Sequence, residues 1–381
     1  MDFALSTEQD ALQAAAIAFA RRELDYDVQR ADREATFPHD GWRKCAAFGL
    51  QGLPVPIAYG GRGADVTTVI AVMEGLGYGC RDQGLLFAIN AHLWTNSIPL
   101  VRFGTETQKR SFLPRLCDGT LIGANATTEP EAGSDVFSLR TRAVRDGTVY
   151  VLNGTKTFVS NAPIADLIVT YATVNPDAGP LGICSFLVER DTPGVTVGPP
   201  IEKMGLRTAP MAEVMFDDVR VPVANRLGRE GRGAEVFSCA MEWERSCILA
   251  NCLGTMQRQI EECIAYAQQR RQFGQPIGKF QSVANRIVDM KLRLETARPL
   301  VYQIAWLKQQ NKTAELEAAM AKLYVSEAFV QSCLDAIQIH GGYGYTTALH
   351  YERQLRDAVG GTLYSGTSEI QRNIIARKLG L

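Results

Sequence analysis

The chain has 381 residues, of which 46% are apolar and 21% charged, a composition typical of a globular protein with two or three domains. Forty basic and forty-one acidic residues give a net charge of −1, which argues against a dedicated nucleic-acid-binding protein and against a polybasic membrane surface. No apolar run approaches the ~20 residues of a membrane span, and the first ten residues lack the basic start of a signal peptide. Nine scattered cysteines without a CxxC pair indicate a reduced, cytoplasmic protein with neither a disulfide framework nor a metal site.

The chain changes character twice. Residues 1–118 are predicted to be helical, because apolar residues recur at helical spacing over 66–77 and 85–103. Residues 231–381 show the same periodicity and are predicted to form a second helical domain.

The segment 119–230 between them is predicted to be an antiparallel β domain. Asp146-Gly147 and Asn153-Gly154 are both typical of tight hairpin turns, so we expect three consecutive antiparallel strands around them. The strands predicted for this domain lie at 139–145, 148–152, 155–159, 167–174, 183–188 and 213–216. Because strands do not alternate with helices, the fold class is α+β, and a doubly wound nucleotide-binding sheet is excluded.

Familiar catalytic motifs are missing from the sequence. It has no GxxxxGK[ST] phosphate loop, no HExxH and no GxSxG elbow. The glycines near 341–344 follow a predicted helix, so they do not form a dinucleotide fingerprint. Its four histidines lie far apart and are interpreted as packing or surface residues.

Five other segments are more specific, and they occur in a fixed order along the chain. They are TTEPEAGSD at 127–135, KTFVSN at 156–161, RRQFG at 270–274, IQIHGGYG at 337–344 and YSGTSEIQR at 364–372. Together, and over essentially the whole chain, they resemble the acyl-CoA dehydrogenase family. The resemblance implies a helix–β–helix organisation, bound FAD and oxidation of an acyl thioester.

The resemblance assigns roles around the flavin ring. It implies that Thr128 hydrogen-bonds the isoalloxazine near N5 and that Ser134 contacts the pantetheine or phosphate arm of the substrate. Phe158 and Ser160 are expected on one face of a strand, where the family usually has Trp and Thr. Phe158 would then supply an aromatic wall, and Ser160 a hydroxyl for the flavin edge.

A second group of residues is expected to reach the FAD of a neighbouring subunit. By resemblance, this group consists of Arg270, Phe273, Gln281, Gln338, Gly341, Gly342, Thr367 and Glu369. A site shared in this way implies a homo-oligomer, either a dimer or a tetramer. Without the resemblance, Arg270 reads as a solvated helix end and Glu369 as a surface charge.

The family reaction requires a carboxylate that removes the α proton of the thioester, and many members carry it where this chain has Ser365. A serine hydroxyl is too weak a base without an activating partner. Either the α-proton chemistry is lost or the base lies elsewhere. The backbone N–H of Ser365 is still expected to polarise the thioester carbonyl.

Glu244 is the candidate replacement. It falls on an apolar helical stripe with Met241 and Ile248, a face that charged residues avoid unless they are paired or functional. Isovaleryl-type members of the family carry their base on this helix directly before an arginine, as in Glu244-Arg245. Arg245 is expected to bind substrate. The alternative is a buried ion pair formed by Glu244.

Three functions stay open at this level. Residues 241–245, 364–366 and 161–166 resemble dehydrogenases of prolyl groups on carrier proteins in natural-product pathways, which favours a prolyl-like thioester substrate. The alternatives are a dehydrogenase of free short or branched acyl-CoA and a flavin-binding member without α-proton chemistry. The electron acceptor is either a flavoprotein or oxygen.

Overall fold

The computed structural model describes residues 5–381, and it is helical as far as Cys117. The helices of this part are Thr7–Glu23 (α1), Val28–Glu34 (α2), His39–Phe48 (α3), Val66–Gly79 (α4), Gln83–His92 (α5), Ile98–Phe103 (α6) and Glu106–Cys117 (α7). The predicted helix at 85–103 is present but irregular, because a π-helical stretch, Leu93–Ser97, joins α5 to α6. Such stretches often occur at functional sites.

The middle of the chain forms one eight-stranded sheet. Its strands are Gly123–Ala126 (β1), Arg142–Asp146 (β2), Val149–Ser160 (β3), Leu167–Thr173 (β4), Ile183–Glu189 (β5), Val195–Val197 (β6), Met211–Pro222 (β7) and Arg226–Leu227 (β8). The spatial order is β6-β7-β3-β2-β4-β5-β8, with β1 beside β4.

The prediction of a purely antiparallel domain is wrong in one respect. β1 pairs with β4 in parallel, and β2 also meets β4 in parallel at one residue pair. Turn residues predict only how strands close together in sequence will pair. β1 pairs instead with β4, and the β2–β3 hairpin lies between them in sequence.

The second predicted hairpin is also wrong. β3 runs unbroken through Asn153 and Gly154, and the irregularity lies in β7, where Asp217 and Asp218 both face Asn153. The Asn153 amide exchanges two hydrogen bonds of 2.9 Å with Asp218, which adopts a left-handed φ of 50°. The Asn-Gly pair therefore accommodates a β-bulge rather than a turn. The Asp146-Gly147 hairpin is present as predicted.

The chain returns to helices after the sheet. The remaining elements are Gly233–Cys247 (α8), Ala250–Gln269 (α9), the short hairpin Arg271–Gln272 (β9) and Gln275–Pro276 (β10), Gln281–Gln309 (α10), Glu315–His340 (α11), Gly342–Tyr345 (α12), Tyr351–Gly360 (α13) and Ser368–Lys378 (α14). The predicted α+β class with two flanking helical parts is confirmed. Within residues 5–381, no helix combines the length and apolarity needed to cross a bilayer.

Three apolar clusters organise these elements within residues 5–381, and the third lies between the sheet and helices α6, α7 and α8. One core is shared by the N-terminal and C-terminal helices, with α4 packed between α1 and α9. The second core lies within the sheet and includes Tyr150, Phe186 and Val214. Helix α8 packs against both β5 and α11, so its residues lie at the junction of sheet and helices.

Candidate active site

Glu244 lies on the buried face of α8. Its side chain is 7% exposed, and its neighbours on the same face, Met241 and Ile248, are also buried. Burial raises the pKa of Glu244 to about 7, although the nearby Ser365 hydroxyl and the charges of Arg245 and Lys322 act in the opposite direction. Across residues 5–381 it forms no salt bridge within 4.0 Å, so the geometry favours a functional carboxylate over an ion pair.

Next to this carboxylate lies a strained turn. Ser365 and Gly366 have φ angles of 57° and 90°, a region that a serine seldom adopts. Side chains hold both carbonyl oxygens. Arg245 Nε donates to Ser365 O at 2.9 Å, Lys322 Nζ donates to Gly366 O at 2.6 Å, and Gln371 Nε2 donates to both at 3.1 and 2.9 Å.

The turn also carries polar groups that have no partner. In the part of the chain that the structure describes, the backbone N–H of Ser365 donates no hydrogen bond. The Ser365 Oγ is buried beside Glu244, whose ionised form it favours, and it has no other partner among these residues. The unpartnered Ser365 N–H is therefore a donor available to a ligand beside Glu244.

The residues predicted around the flavin ring lie together on the sheet. Thr157 N donates to Thr128 O at 2.8 Å, so the loop after β1 runs alongside β3. A second irregularity in β3 gives Phe158 a left-handed φ of 55° and leaves its ring 60% exposed. Ser160 is half-buried on the same side, while Val159 between them is buried.

A buried ion pair fixes the loop that carries Thr128. Lys156 Nζ lies 2.8 Å from Glu129 Oε1 and also donates to Thr127 O at 3.1 Å. The Glu129 carboxylate accepts two further bonds from the backbone N–H groups of Arg140 and Thr141. Ser134, farther along this loop, is exposed. Glu129 and Lys156 both lie within the sequence motifs, but the motifs alone do not predict this structural role.

The second predicted group lies elsewhere on the molecule. The Tyr266 and His340 rings stack at 4.3 Å and bring the ends of α9 and α11 together. At this end, the side chains of Arg270, Gln281 and Gln338 are exposed, and no hydrogen bond within residues 5–381 connects them to Glu244 or to the 365–366 turn. Phe273 is 94% exposed and has a left-handed φ of 49°.

Two glycines complete this exposed end. Gly341 has a φ of 58°, and a Cβ added to it or to Gly342 would meet nothing within 4 Å. Thr367 and Glu369 lie instead at the start of α14, where Thr367 Oγ1 accepts a 3.3 Å bond from Ile370 N. Within one chain, the predicted cofactor residues therefore lie in more than one place.

These features fit the flavin that the resemblance implies. The exposed Phe158 ring lies on the strand that carries Ser160 and runs alongside the Thr128 loop, and it suits a flat, polar-edged ring system. The bare Gly341-Gly342 pair and the exposed Arg270 suit an anion such as a pyrophosphate.

Three contributors were missed from the sequence. Lys322 and Gln371 hold the turn, and the Phe87 ring packs in a tilted arrangement 4.8 Å from the Tyr364 ring. Lys322 offered a usable signal, because it interrupts an apolar helical stripe just as Glu244 does. Glu242, on the other side of α8, is half-buried and paired with Lys308 at 2.7 Å.

Comparison with known proteins agrees with this geometry. Three family models match: the N-terminal, middle and C-terminal domains of acyl-CoA dehydrogenase, at residues 6–120, 124–219 and 231–380. An L-prolyl-[peptidyl-carrier protein] dehydrogenase of Pseudomonas fluorescens is 48% identical over 89% of this chain and 90% of its own length.

Two solved structures are also close. The prolyl acyl carrier protein oxidase AnaB is 51% identical, with a TM-score of 0.98 over 99% of this chain and all of its own. PigA, solved with FAD and proline, is 44% identical with a TM-score of 0.98 over the full length of both chains. The chain belongs to the acyl-CoA dehydrogenase family.

Proposed function

We propose that this protein is an FAD-dependent dehydrogenase of a prolyl-like aminoacyl thioester carried on a carrier protein. The observation that carries the proposal is the buried, unpaired Glu244 beside the free N–H of Ser365. Relatives named for prolyl carrier proteins, and the FAD and proline complex of PigA, support the cofactor and the substrate class.

The chain's own groups divide the chemistry between them. The Ser365 N–H would hold the thioester carbonyl oxygen and stabilise the charge that develops there when the α proton leaves. Glu244, with a pKa of about 7, would take that proton near neutral pH. Phe158, Thr128 and Ser160 would hold the FAD, and the bound flavin would supply the acceptor for the hydride.

The walls beside the turn suit a compact acyl group. Tyr364 precedes the turn, and its ring packs against Phe87 of α5. Ile248, one turn after Glu244, and Cys252 of α9 lie beside these two rings. Such tight packing beside the turn favours a small ring such as pyrrolidine over a long acyl chain.

A second copy of the chain is part of the proposal. Arg270, Phe273, Gln281, Gln338 and the Gly341-Gly342 pair are exposed and lie away from Glu244. Their chemistry fits the pyrophosphate half of an FAD bound to a neighbouring subunit. The proposed partners are therefore a second copy of the chain, the loaded carrier protein and an electron acceptor, either a flavoprotein or oxygen.

Substrate loading tests this function directly. Proline is attached to a carrier protein and mixed anaerobically with the FAD-loaded enzyme, and both the flavin absorbance and the carrier mass are followed. We expect flavin bleaching and a mass loss of one or two pairs of hydrogen atoms. Turnover of isovaleryl-CoA without turnover of the prolyl carrier would favour the free acyl-CoA alternative. A flavin that no thioester bleaches would favour a non-redox member.

A further inference from the structure

Lys322 is a buried cation whose role the family resemblance left open. It lies on α11 among the buried residues Ala318, Val325 and Phe329, and it is 1% exposed. Its ammonium forms no salt bridge within residues 5–381, and Gly366 O, at 2.6 Å, is its hydrogen-bond acceptor there. A buried lysine with so little compensation is costly, so it persists where its charge or its hydrogen bond is used.

The hydrogen bond explains how the strained turn is maintained. Consecutive residues in the left-handed region are disfavoured and persist only where the surroundings over-determine them. Here Arg245, Lys322 and Gln371 hold the two carbonyl oxygens from three different helices. These carbonyls belong to the Ser365–Gly366 and Gly366–Thr367 peptides, so holding them anchors the C-terminal side of the turn that carries the Ser365 N–H.

The charge has a second consequence. Lys322 is one of two cations that favour the ionised form of Glu244, the other being Arg245. The pKa of Lys322 is lowered to about 8, mainly by burial. The charge of Arg245 acts in the same direction, and the charge of Glu244 acts against it. The remaining groups that face this pair are Ser365, Tyr171 and Tyr364 around Glu244, and Glu369 and Glu327 around Lys322.

We propose that Lys322 is a positioning residue for the proposed reaction: its ammonium holds the Ser365–Gly366 turn beside Glu244 through Gly366 O, and its charge favours the ionised form of that carboxyl. The proposal depends on the role of Glu244 given above. It does not depend on which thioester is the substrate.

Substitutions of Lys322 separate the hydrogen bond from the charge. Lys322→Gln keeps a donor for Gly366 O but removes the charge, whereas Lys322→Met removes both the donor and the charge. Lys322→Arg keeps the donor and the charge. The matched control is Lys203→Met, because Lys203 is a half-buried lysine whose ammonium likewise donates to carbonyl groups, those of Leu206 and Ala209, and it does not act on Glu244.

The first measurement needs no turnover. The infrared band of protonated Glu244 is isolated by subtracting the Glu244→Gln spectrum, and it is titrated against pH in each variant. In Lys322→Gln and Lys322→Met the midpoint is expected to move to higher pH by about 0.5–1 unit, because a nearby positive charge has been removed. Lys322→Arg and Lys203→Met should titrate as the parent does.

The second measurement is anaerobic flavin reduction by the prolyl carrier. Lys322→Met is expected to lower the limiting rate by roughly 10- to 100-fold, and Lys322→Gln by less, because its turn is retained. An unchanged Glu244 midpoint in Lys322→Gln would overturn the proposal, as would full reduction rates in Lys322→Met. Should Lys322→Met fail to fold, comparison of the Gln and Arg variants still tests the effect of the charge on Glu244. If the prolyl carrier does not reduce the flavin, the infrared titration still tests the role of Lys322, because it needs no substrate.

Discussion

The catalytic role proposed for Glu244 depends on surroundings that let a carboxylate act as a base near neutral pH. In water a glutamate has a pKa near 4.3, and it would hold a proton too weakly to abstract one from carbon. On the dry face of α8 the pKa of Glu244 rises to about 7. The residue type came from the sequence, but its strength as a base comes from burial between α8, α11 and the turn.

Removing this carboxylate should abolish turnover without removing the cofactor. We expect Glu244→Gln to retain FAD and to lower the rate of flavin reduction by on the order of 10³-fold or more, because the amide cannot accept the α proton. Stopped-flow absorbance under anaerobic conditions measures this rate.

The control for this prediction is Glu242→Gln, on the same helix. Glu242 is paired with Lys308 and lies away from the apolar face, so its loss should change the rate by less than about 10-fold. Equal losses in the two variants would contradict the assignment of Glu244 as the base.

At the level of elements, β3 shows how irregular backbone positions functional groups. One irregularity lies opposite Asn153, and a second turns Phe158 outward. The first depends on Gly154, since a Cβ there would lie 2.5 Å from Thr141 Oγ1 and 2.8 Å from Thr141 Cα. β3 therefore requires glycine at 154 although no turn is present.

Gly154→Ala should destabilise the fold more than alanine at a true hairpin. We expect a loss of about 2–3 kcal/mol in the free energy of unfolding, because backbone and side chain must both shift. Gly147→Ala is the comparison, since Gly147 also has a positive φ but an added Cβ meets nothing within 4 Å, and it should cost about 1 kcal/mol. Denaturant midpoints of the two variants provide the measurement, and a smaller loss at 154 than at 147 would contradict it.

At the scale of the whole molecule, a buried junction ties the sheet to the C-terminal helices. Asp357 of α13 accepts a 2.6 Å hydrogen bond from Leu206 N in the β6–β7 connection. Burial raises the pKa of Asp357 to about 7. The folded state therefore holds a proton that the unfolded chain releases near pH 4, and the stability it contributes is lost as pH rises from about 4 to 7.

Asp357→Asn should flatten this pH dependence. The asparagine oxygen can still accept the Leu206 bond, and it carries no charge at any pH. The fall in unfolding free energy between pH 5 and pH 7.5 should be smaller in the variant by on the order of 1–3 kcal/mol. Parallel denaturation curves at the two pH values test this, and an identical pH dependence in parent and variant would argue against a buried, protonated Asp357.

The proposed sharing of the cofactor site between subunits predicts that two inactive variants regain activity when they assemble together. Glu244→Gln and Arg270→Glu should each be inactive alone, the second through loss of FAD. When the two chains are co-expressed and form mixed oligomers, about a quarter of parent activity should return, because one intact site forms where an unchanged Glu244 meets an unchanged Arg270. Mixed oligomers with no activity would show that the site is not shared in this way.

The sequence allowed the order of elements and most of the site to be predicted because those signals are local. Helical periodicity, the Asp146-Gly147 turn and the apolar stripe holding Glu244 each lie within one segment. The parallel partner of β1 and the bulge opposite Asn153 depend on residues far along the chain. Turn chemistry alone therefore misassigned Asn153-Gly154.

By itself, then, the sequence determined the α+β order of elements and the motifs of the acyl-CoA dehydrogenase family, and it predicted that the base lies at Glu244 rather than at position 365. Only the tertiary structure decided that Arg245, Lys322 and Gln371 meet at one strained turn beside that carboxylate. The reason is physical: hydrogen bonds between residues as far apart as 120 positions, such as that from Arg245 to Ser365, form only when helices pack, and burial sets the strength of the base only then.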